Sequence, residues 1–264
     1  PDPLLETALA CVDDFYARMF RDWPEAINRP GDHYMLSYSG DRRLTGANHL
    51  WPYTANTLTL DRLSDAEDFF YEHSAAWSVV ITDTCMPGLA DQLVEWGYYA
   101  RWQSPLMVLD GPPHQSASRP RNGVIRASTL EHLDQIKRVL SEAFATGSSV
   151  NRRVIRPTHL GDPTIVHYLV HADNEPAACA TVALCSGMAS IWNVATRYAF
   201  RRRGYARAIM LTLLDDLRDQ GYHASTLMAS PNGYPLYEGL GYREIGQTMY
   251  MGPVLPYRKS EKTE

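Results

Sequence analysis

Val194-Ala-Thr-Arg-Tyr-Ala-Phe-Arg-Arg-Arg-Gly-Tyr-Ala206 joins a predicted buried strand to a predicted amphipathic helix. The spacing Arg201-x-x-Gly204-x-Ala206 keeps two positions of the turn small, so that a ligand can approach the backbone. The first N–H groups of a helix have no partner inside it, and the helix dipole adds positive potential at the same place. Consecutive arginines add charge suited to a diphosphate: Arg201, Arg202 and Arg203. The stretch predicts an anion-binding turn, and the simpler alternative is a surface loop with solvated arginines.

A second informative stretch is Ala229-Ser-Pro-Asn-Gly-Tyr-Pro-Leu-Tyr237-Glu-Gly-Leu-Gly241-Tyr242. It predicts a short helix that ends near Gly241 and leads into a strand. Tyr237 lies inside this helix, where a tyrosine is either a core aromatic with a satisfied hydroxyl or a proton donor. A predicted helix and a predicted strand separate this stretch from the anion-binding turn.

Together, and in this order, the two stretches resemble the Gcn5-related N-acetyltransferase (GNAT) superfamily. The resemblance covers residues 124–251. It implies an α/β (α+β) fold in which helices flank a mixed, mostly antiparallel sheet. It also implies acetyl-CoA as the co-substrate, with no metal, and it does not identify the acceptor.

The resemblance also implies which residues bind CoA. Backbone amides of the turn would hold the diphosphate, and the end of the preceding strand would pair with the pantetheine amides. Ser230 stands where family members often carry an Asn that contacts the pantetheine arm, and Asn232 is a substitute for it. The implied cofactor-binding residues are Val194, Ala195, Thr196, Arg201, Arg202, Arg203, Gly204, Tyr205, Ala206, Ser230 and Asn232.

Two residues receive catalytic roles from the same resemblance. A main-chain N–H near Val194 would polarise the thioester carbonyl, and Tyr237 would protonate the departing CoA thiolate. Phenol and thiol have reference pKa values of about 10 and about 8.5, which are close enough for proton transfer.

The sequence departs from the family pattern on the strand before the turn. Family members often carry a glutamate there as a base, whereas Ser190-Ile-Trp-Asn-Val194 offers no carboxylate. The base is then either a chain of waters or a side chain from another element. The candidates are Glu142, His167 and His171. In the turn itself, Tyr198 and Phe200 stand where Pro and Tyr are common.

The C-terminal half alternates between strand and helix patterns. Ser128-x-x-Glu131 is typical of a capping box, and it predicts a helix with Leu130, Leu133, Ile136, Leu140 and Phe144 on one face. Residues 145–163 are polar and predict irregular structure. The other predicted elements are strands at 124–127, 165–171, 177–184, 191–195, 224–228 and 243–251, and helices at 204–220 and 234–239.

The N-terminal half has a related pattern without the chemistry. Helices are predicted at 4–20, 60–74 and 88–96, and strands at 34–39, 48–53, 77–82 and 99–109. Both Gly97-Tyr98 and Gly241-Tyr242 end a short helix, and aligning them places Leu93 opposite Tyr237. We interpret this half as a degenerate GNAT-like copy without a CoA site; chance similarity is the alternative. Trp51 and Tyr53 either line an acceptor pocket or only support packing.

Composition indicates a linker between the halves. Residues 111–123 are rich in Pro, Gly and Ser and lack a hydrophobic pattern. The predicted organisation is therefore a degenerate domain at 1–110, a linker at 111–123, a catalytic domain at 124–255 and a tail at 256–264.

Charge and composition argue against several classes of function. The net charge of −5 comes without a basic block, so nucleic acid is not an expected partner. No stretch approaches the about 18 apolar residues of a membrane span, so we expect a cytoplasmic protein. The four cysteines form no metal-ligand or redox pair, which favours free thiols. The oligomeric state stays open between monomer and homodimer.

These observations lead to an expected function. The protein would transfer an acetyl group from acetyl-CoA to a primary amine of a small molecule, by direct attack in a ternary complex. One alternative is an acyl-CoA-binding sensor or interaction protein without turnover. Another is an acyltransferase with a different acyl group, or with a protein N-terminus as acceptor.

Overall fold

The computed structural model describes residues 2–20, 23–31, 34–114, 123–144, 148–185 and 187–254, with the backbone alone at 148–150. Most of the predicted linker and the whole predicted tail at 256–264 lie outside these residues. The chain forms two compact units. The N-terminal unit contains Tyr16–Pro105 and the residues from Ile245 onward, and the C-terminal unit contains Asp2–Phe15 and Leu106–Glu244.

Neither unit is one continuous stretch of the chain, because each includes a segment from the far end. The reason is long-range packing: the Cys11 thiol donates to the Met188 carbonyl, and Met251 pairs with Val79 on a neighbouring strand. Such contacts between distant segments leave no mark in local composition.

The described residues contain seven α-helices and eleven β-strands. The helices are α1 Leu5–Phe20, α2 Leu60–Glu72, α3 Leu89–Glu95, α4 Leu130–Phe144, α5 Ser148–Val154, α6 Tyr205–Asp219 and α7 Tyr234–Leu240. The strands are β1 Ile27–Gly31, β2 Tyr34–Tyr38, β3 His49–Pro52, β4 Ser78–Thr82, β5 Tyr98–Asp110, β6 Val124–Arg126, β7 Ile165–Ala172, β8 Glu175–Leu184, β9 Ala189–Thr196, β10 Ala224–Met228 and β11 Arg243–Pro253. Short 3₁₀ turns occur at Ala55–Thr57, Pro157–Gly161 and Tyr198–Phe200.

The C-terminal unit is built on a sheet with the strand order β5–β10–β9–β8–β7–β6. Every neighbouring pair is antiparallel except β9 and β10, which are parallel. Because side chains alternate across a strand, helix α6 packs on the face that carries Tyr168 and Ala180. Helix α4 packs on the opposite face, which carries Leu169 and Cys179. This is the predicted mixed, mostly antiparallel sheet with flanking helices.

In the N-terminal unit the strand order is β1–β2–β3–β4–β11, with only β3 and β4 parallel. Helices α2 and α3 bury residues such as Phe70 and Leu93 in one apolar cluster with strands β2, β3 and β4. The sequence does not predict strand β1. Its residues Ile-Asn-Arg-Pro-Gly lack apolar alternation, and proline in a sheet favours an edge strand such as this one.

Three predictions for the start of the C-terminal half are wrong in detail. Helix α4 is capped by Thr129, whose Oγ1 accepts from the N–H of His132 at 3.2 Å, so the cap lies one residue after the predicted Ser128. Leu130 and Phe144 are exposed, because they lie at the two ends of the helix where the apolar face leaves the sheet. Residues 145–163 are not wholly irregular, since α5 and a 3₁₀ turn lie within them.

The cysteines agree with the sequence prediction. None of the four is in a disulfide, and Cys11, Cys179 and Cys185 are buried. Among the described residues, no helix combines the length and the apolar character that a membrane crossing requires.

Candidate active site

The parallel strands β9 and β10 separate part of the way along their length. Their pairing runs from Ser225 opposite Ala189 to Leu227 opposite Ile191. Strand β9 continues to Thr196, beyond the last residue paired with β10. The edge of β9 that includes Val194 therefore has no pairing with β10, and its backbone can bind an extended ligand.

A β-bulge lies in the same part of β9. Cys179 pairs with Ala195 and Thr181 pairs with Trp192, so that Asn193 and Val194 together stand opposite one residue of β8. Asn193 has a φ of 55°, in the left-handed region that asparagine tolerates better than most residues. Bulges bend a strand and redirect its backbone groups. Here the redirected groups include the Val194 amide.

Helix α6 begins without a side-chain cap. Gly204 is the N-cap residue with a φ of 85°, and the first turn of the helix contains no acidic residue. Arg202 also has a positive φ, of 63°. A Cβ at Gly204 would meet no other atom within 4 Å, so it is the backbone conformation that requires glycine here. The amides of the first helical turn thus lie next to open space, which is the arrangement that binds anions.

The three arginines of the turn differ in their surroundings. The Arg201 guanidinium donates to the carbonyl oxygens of Thr196 and Ala143, each at 3.2 Å. The Arg201 side chain therefore holds the turn in place. Arg202 and Arg203 are exposed, and the Arg203 guanidinium lies 3.9 Å from the exposed Asp173 carboxylate. Arg201 is exposed as well, and it differs from the other two in its bonds to the backbone.

Arg197 is a structural residue that the sequence analysis misses. Its buried guanidinium donates to Glu142 at 2.6 Å, to Glu175 at 2.7 Å and to the Pro176 carbonyl at 2.9 Å. These bonds fix the end of β9 against α4 and the start of β8. The hydrogen bond from Arg197 holds the pKa of Glu142 below its usual range, which makes this carboxylate a weak base. Because the partners of Arg197 lie on distant elements, no local sequence pattern predicts these hydrogen bonds.

Tyr237 is buried in α7 and belongs to the apolar cluster that also contains Ala229 and Phe200. Val194 and Tyr205 pack against the same cluster, so the bulge, the start of α6 and Tyr237 border one apolar core. Burial raises the pKa of Tyr237, so the phenol keeps its proton at neutral pH.

Gly233 and Ser230 shape the start of α7. A Cβ at Gly233 would lie 2.8 Å from Cε2 of Tyr237, so glycine is required for space. The Ser230 hydroxyl accepts from the Gly233 N–H at 3.1 Å and stabilises this turn. Asn232 is exposed. The sequence suggests Gly233 only as a turn residue, because the contact with the tyrosine ring depends on the fold.

The two histidine candidates for the base are both hydrogen-bonded within the protein. His167 is buried between His159 and Thr181, and burial, with a further contribution from His159, lowers its pKa to about 3. His167 is therefore uncharged at neutral pH and a poor proton acceptor. The His171 Nε2 atom lies 2.8 Å from Gln135 Oε1 and donates to it.

Residues 133–242 match the family described as Acetyltransferase (GNAT) family. The fold is similar to a GCN5-related N-acetyltransferase from Kribbella flavida, with a TM-score of 0.73 and 17% identity over 94% of this chain and 95% of that one. No curated protein matches the sequence.

Two further solved structures match nearly the whole chain. A GCN5-related N-acetyltransferase from Sphaerobacter thermophilus has a TM-score of 0.61 at 14% identity, over 96% of this chain and 93% of that one. A tandem GNAT protein from the clavulanic acid biosynthesis pathway has a TM-score of 0.63 at 12% identity, over 94% of this chain and 89% of that one. At such identities the likeness concerns the fold, and it confirms the predicted tandem GNAT-like architecture.

Proposed function

Since residues 133–242 form a domain of the acetyltransferase (GNAT) family, we propose that this chain is an N-acetyltransferase that uses acetyl-CoA. The observation that carries the proposal is the uncapped start of α6 beside the unpaired edge of β9. The first feature suits a diphosphate, and the second suits the amides of a pantetheine arm. The residues proposed to bind CoA are those that the resemblance implies, with the Arg201 side chain as a brace of the turn.

The proposed acceptor is a primary amine of a small molecule. Its nitrogen lone pair forms a bond with the thioester carbon, while the Val194 N–H stabilises the negative charge that develops on the oxygen. The C–S bond then breaks, and the sulfur takes the proton of the Tyr237 hydroxyl. The proton lost by the amine leaves through water, and the Tyr237 phenolate regains a proton from solvent.

Direct attack on the thioester agrees with the state of the nearest thiol. Cys179 lies on β8 behind the bulge and donates to the Asn193 carbonyl at 3.5 Å. Burial raises the pKa of the Cys179 thiol, so it stays protonated and is a poor nucleophile. This favours a ternary complex over a covalent acyl-enzyme.

The experiment that tests the proposal measures CoA release from acetyl-CoA in the presence of a panel of amines, for the wild type and for Tyr237→Phe. We expect turnover with at least one amine and a loss on the order of 10²-fold in the variant, at unchanged acetyl-CoA affinity. Equal turnover of the two proteins would remove Tyr237 from the mechanism. If acetyl-CoA binds but no amine in the panel is acetylated, the alternative of an acyl-CoA-binding sensor would be favoured.

The same assay addresses the remaining alternative. Longer acyl-CoA donors and short peptides with a free N-terminus are tested beside the small amines. Faster turnover with either class would change the assigned acyl group or acceptor and leave the role of Tyr237 intact.

A further inference from the structure

A chain of buried polar side chains runs behind the active-site bulge. Arg156, His159, His167 and Thr181 are each at most 5% exposed. Arg156 Nε lies 3.4 Å from His159 Nε2, His159 Nδ1 lies 3.0 Å from His167 Nε2, and His167 Nδ1 lies 2.9 Å from Thr181 Oγ1. Asn193, the left-handed residue of the bulge, ends the chain: its Nδ2 donates to Thr181 Oγ1 at 3.3 Å.

Arg156 offers only donors to His159, and it reaches both ring nitrogens: its Nε lies 3.4 Å from Nε2 and its backbone N–H lies 3.5 Å from Nδ1. His167 uses Nε2 toward His159 and Nδ1 toward Thr181. The Thr181 hydroxyl accepts from Asn193 Nδ2 and shares a second hydrogen bond with His167 Nδ1.

The chain is unsuited to hold a proton. Burial and the neighbouring His159 lower the pKa of His167 to about 3, and the buried guanidinium of Arg156 disfavours a second positive charge. His167 thus remains neutral under the conditions in which an amine substrate reacts. What the chain can do is fix the position of the atoms at its end.

Those atoms belong to the bulge. A left-handed conformation is unfavourable for a residue with a side chain, and the bond from Asn193 Nδ2 to Thr181 offsets part of that cost. The conformation of Asn193 sets the direction of the peptide that joins it to Val194, which carries the Val194 N–H. Thr181 is thereby linked to the group proposed to polarise the thioester.

We propose that Thr181, held in place by His167 and His159, is a positioning residue for the Val194 N–H. This inference rests on the proposed function. Without the Thr181 hydroxyl, Asn193 loses its partner, the bulge relaxes, and the N–H no longer points at the carbonyl of the bound thioester. Acetyl-CoA still binds, because the start of α6 is unaffected.

The test compares Thr181→Val, which removes the hydroxyl at similar volume, with Thr181→Ser, which keeps it. The direct readout is the infrared C=O stretch of acetyl-CoA labelled with ¹³C at the carbonyl, bound to each protein. Calorimetry gives the affinity, and CoA release gives kcat. Asn193→Gly is a second variant, which permits the left-handed backbone but cannot bond to Thr181.

We expect the stretch to shift to lower frequency on binding to the wild type and to Thr181→Ser. In Thr181→Val and Asn193→Gly we expect a smaller shift and a kcat lower by about 10-fold, with KM for acetyl-CoA nearly unchanged. Equal carbonyl shifts in the wild type and both variants would overturn the inference and leave the proposed function standing. Absence of acetyl-CoA binding to the wild type would instead overturn both.

Discussion

Helices α2 and α6 begin in opposite ways, although each is the long helix after a turn in its own unit. Helix α2 is capped by Thr59, whose hydroxyl accepts from the Arg62 N–H at 3.3 Å, and its first turn contains Asp61. Helix α6 begins at Gly204 with no cap and no acidic residue. An acidic side chain near the start of a helix repels an anion. It also offsets the positive potential of the helix dipole, which would otherwise attract the anion. The same element thus excludes an anion in one unit and favours one in the other.

The short helices α3 and α7 show a second contrast, at the position four residues before the glycine that follows each of them. Each is followed by a left-handed glycine, Gly97 with a φ of 87° and Gly241 with a φ of 100°, and then by a buried tyrosine. Four residues before the glycine, α3 carries the fully buried Leu93 and α7 carries Tyr237. The backbone is similar at this place in the two units, whereas Tyr237 could donate a proton and Leu93 could not. The proposed catalysis therefore depends on this position.

The largest effect is expected from a variant that gives helix α6 an acidic residue in its first turn, as helix α2 has. Ala206 occupies the same position in α6 as Asp61 does in α2, the second residue of the helix. We expect Ala206→Asp to weaken acetyl-CoA binding on the order of 100-fold, because a carboxylate would face the diphosphate. Since acids stabilise helix starts, we expect the variant to unfold at the same or a slightly higher temperature.

Ala206→Asn is the matched control, because it is similar in size and uncharged. Calorimetric titration and thermal melts check both variants. If Asn weakens binding as much as Asp does, then space rather than charge explains the loss, and the contrast with α2 is not electrostatic.

A smaller effect is expected from crowding Tyr237. Gly233→Ala would place a Cβ 2.8 Å from Cε2 of the tyrosine ring, so the ring must move. We expect kcat to fall by about 10-fold while acetyl-CoA affinity is kept. Gly239→Ala, in the same helix, is the control, since a Cβ there meets nothing within 4 Å. Equal kcat values for the two variants would show that the exact place of the ring does not matter.

The smallest effect concerns acid stability, where the two units should behave alike. Burial lowers the pKa of His49 in the N-terminal unit to about 4, and burial lowers that of His167 in the C-terminal unit to about 3. Below the unfolded value of about 6.5 the unfolded chain binds protons that the folded histidines do not, so stability falls as pH falls and is constant above that value.

From about pH 7 to about pH 6, each histidine should lower the free energy of unfolding by about 0.7 kcal/mol. Urea unfolding at the two pH values, for the wild type and His167→Gln, measures the share of His167. An unchanged pH dependence in the variant would mean that His167 is not neutral in the folded protein.

Much of this architecture can be predicted from the sequence. Apolar spacing predicts every helix except α5, and glycine placement predicts the ends of α6 and α7, because Gly221 and Gly241 both adopt the left-handed conformation. Local patterns do less well where two residues offer the same chemistry, as with Ser128 and Thr129 at the start of α4. Only the fold decides which hydroxyl reaches an amide.

The sequence predicts the backbone elements of the candidate site better than it predicts the side-chain hydrogen bonds that hold them in place. The turn at Arg201–Ala206 and the position of Tyr237 follow from spacing. The Arg197 bonds and the chain from Arg156 to Asn193 do not, because each joins side chains from several elements. Asn193 alone carries a local indication, since asparagine is uncommon in strands and tolerates a left-handed backbone.

We infer that the C-terminal unit holds the chain's acetyl-CoA site and that the N-terminal unit holds none. Calorimetric titration of the wild type with acetyl-CoA, with an Arg203→Ala/Gly204→Ala double variant beside it, tests this most directly. We expect one acetyl-CoA bound per chain at micromolar affinity, and loss of this binding in the variant. Two molecules per chain, binding that survives in the variant, or no binding to the wild type would contradict it.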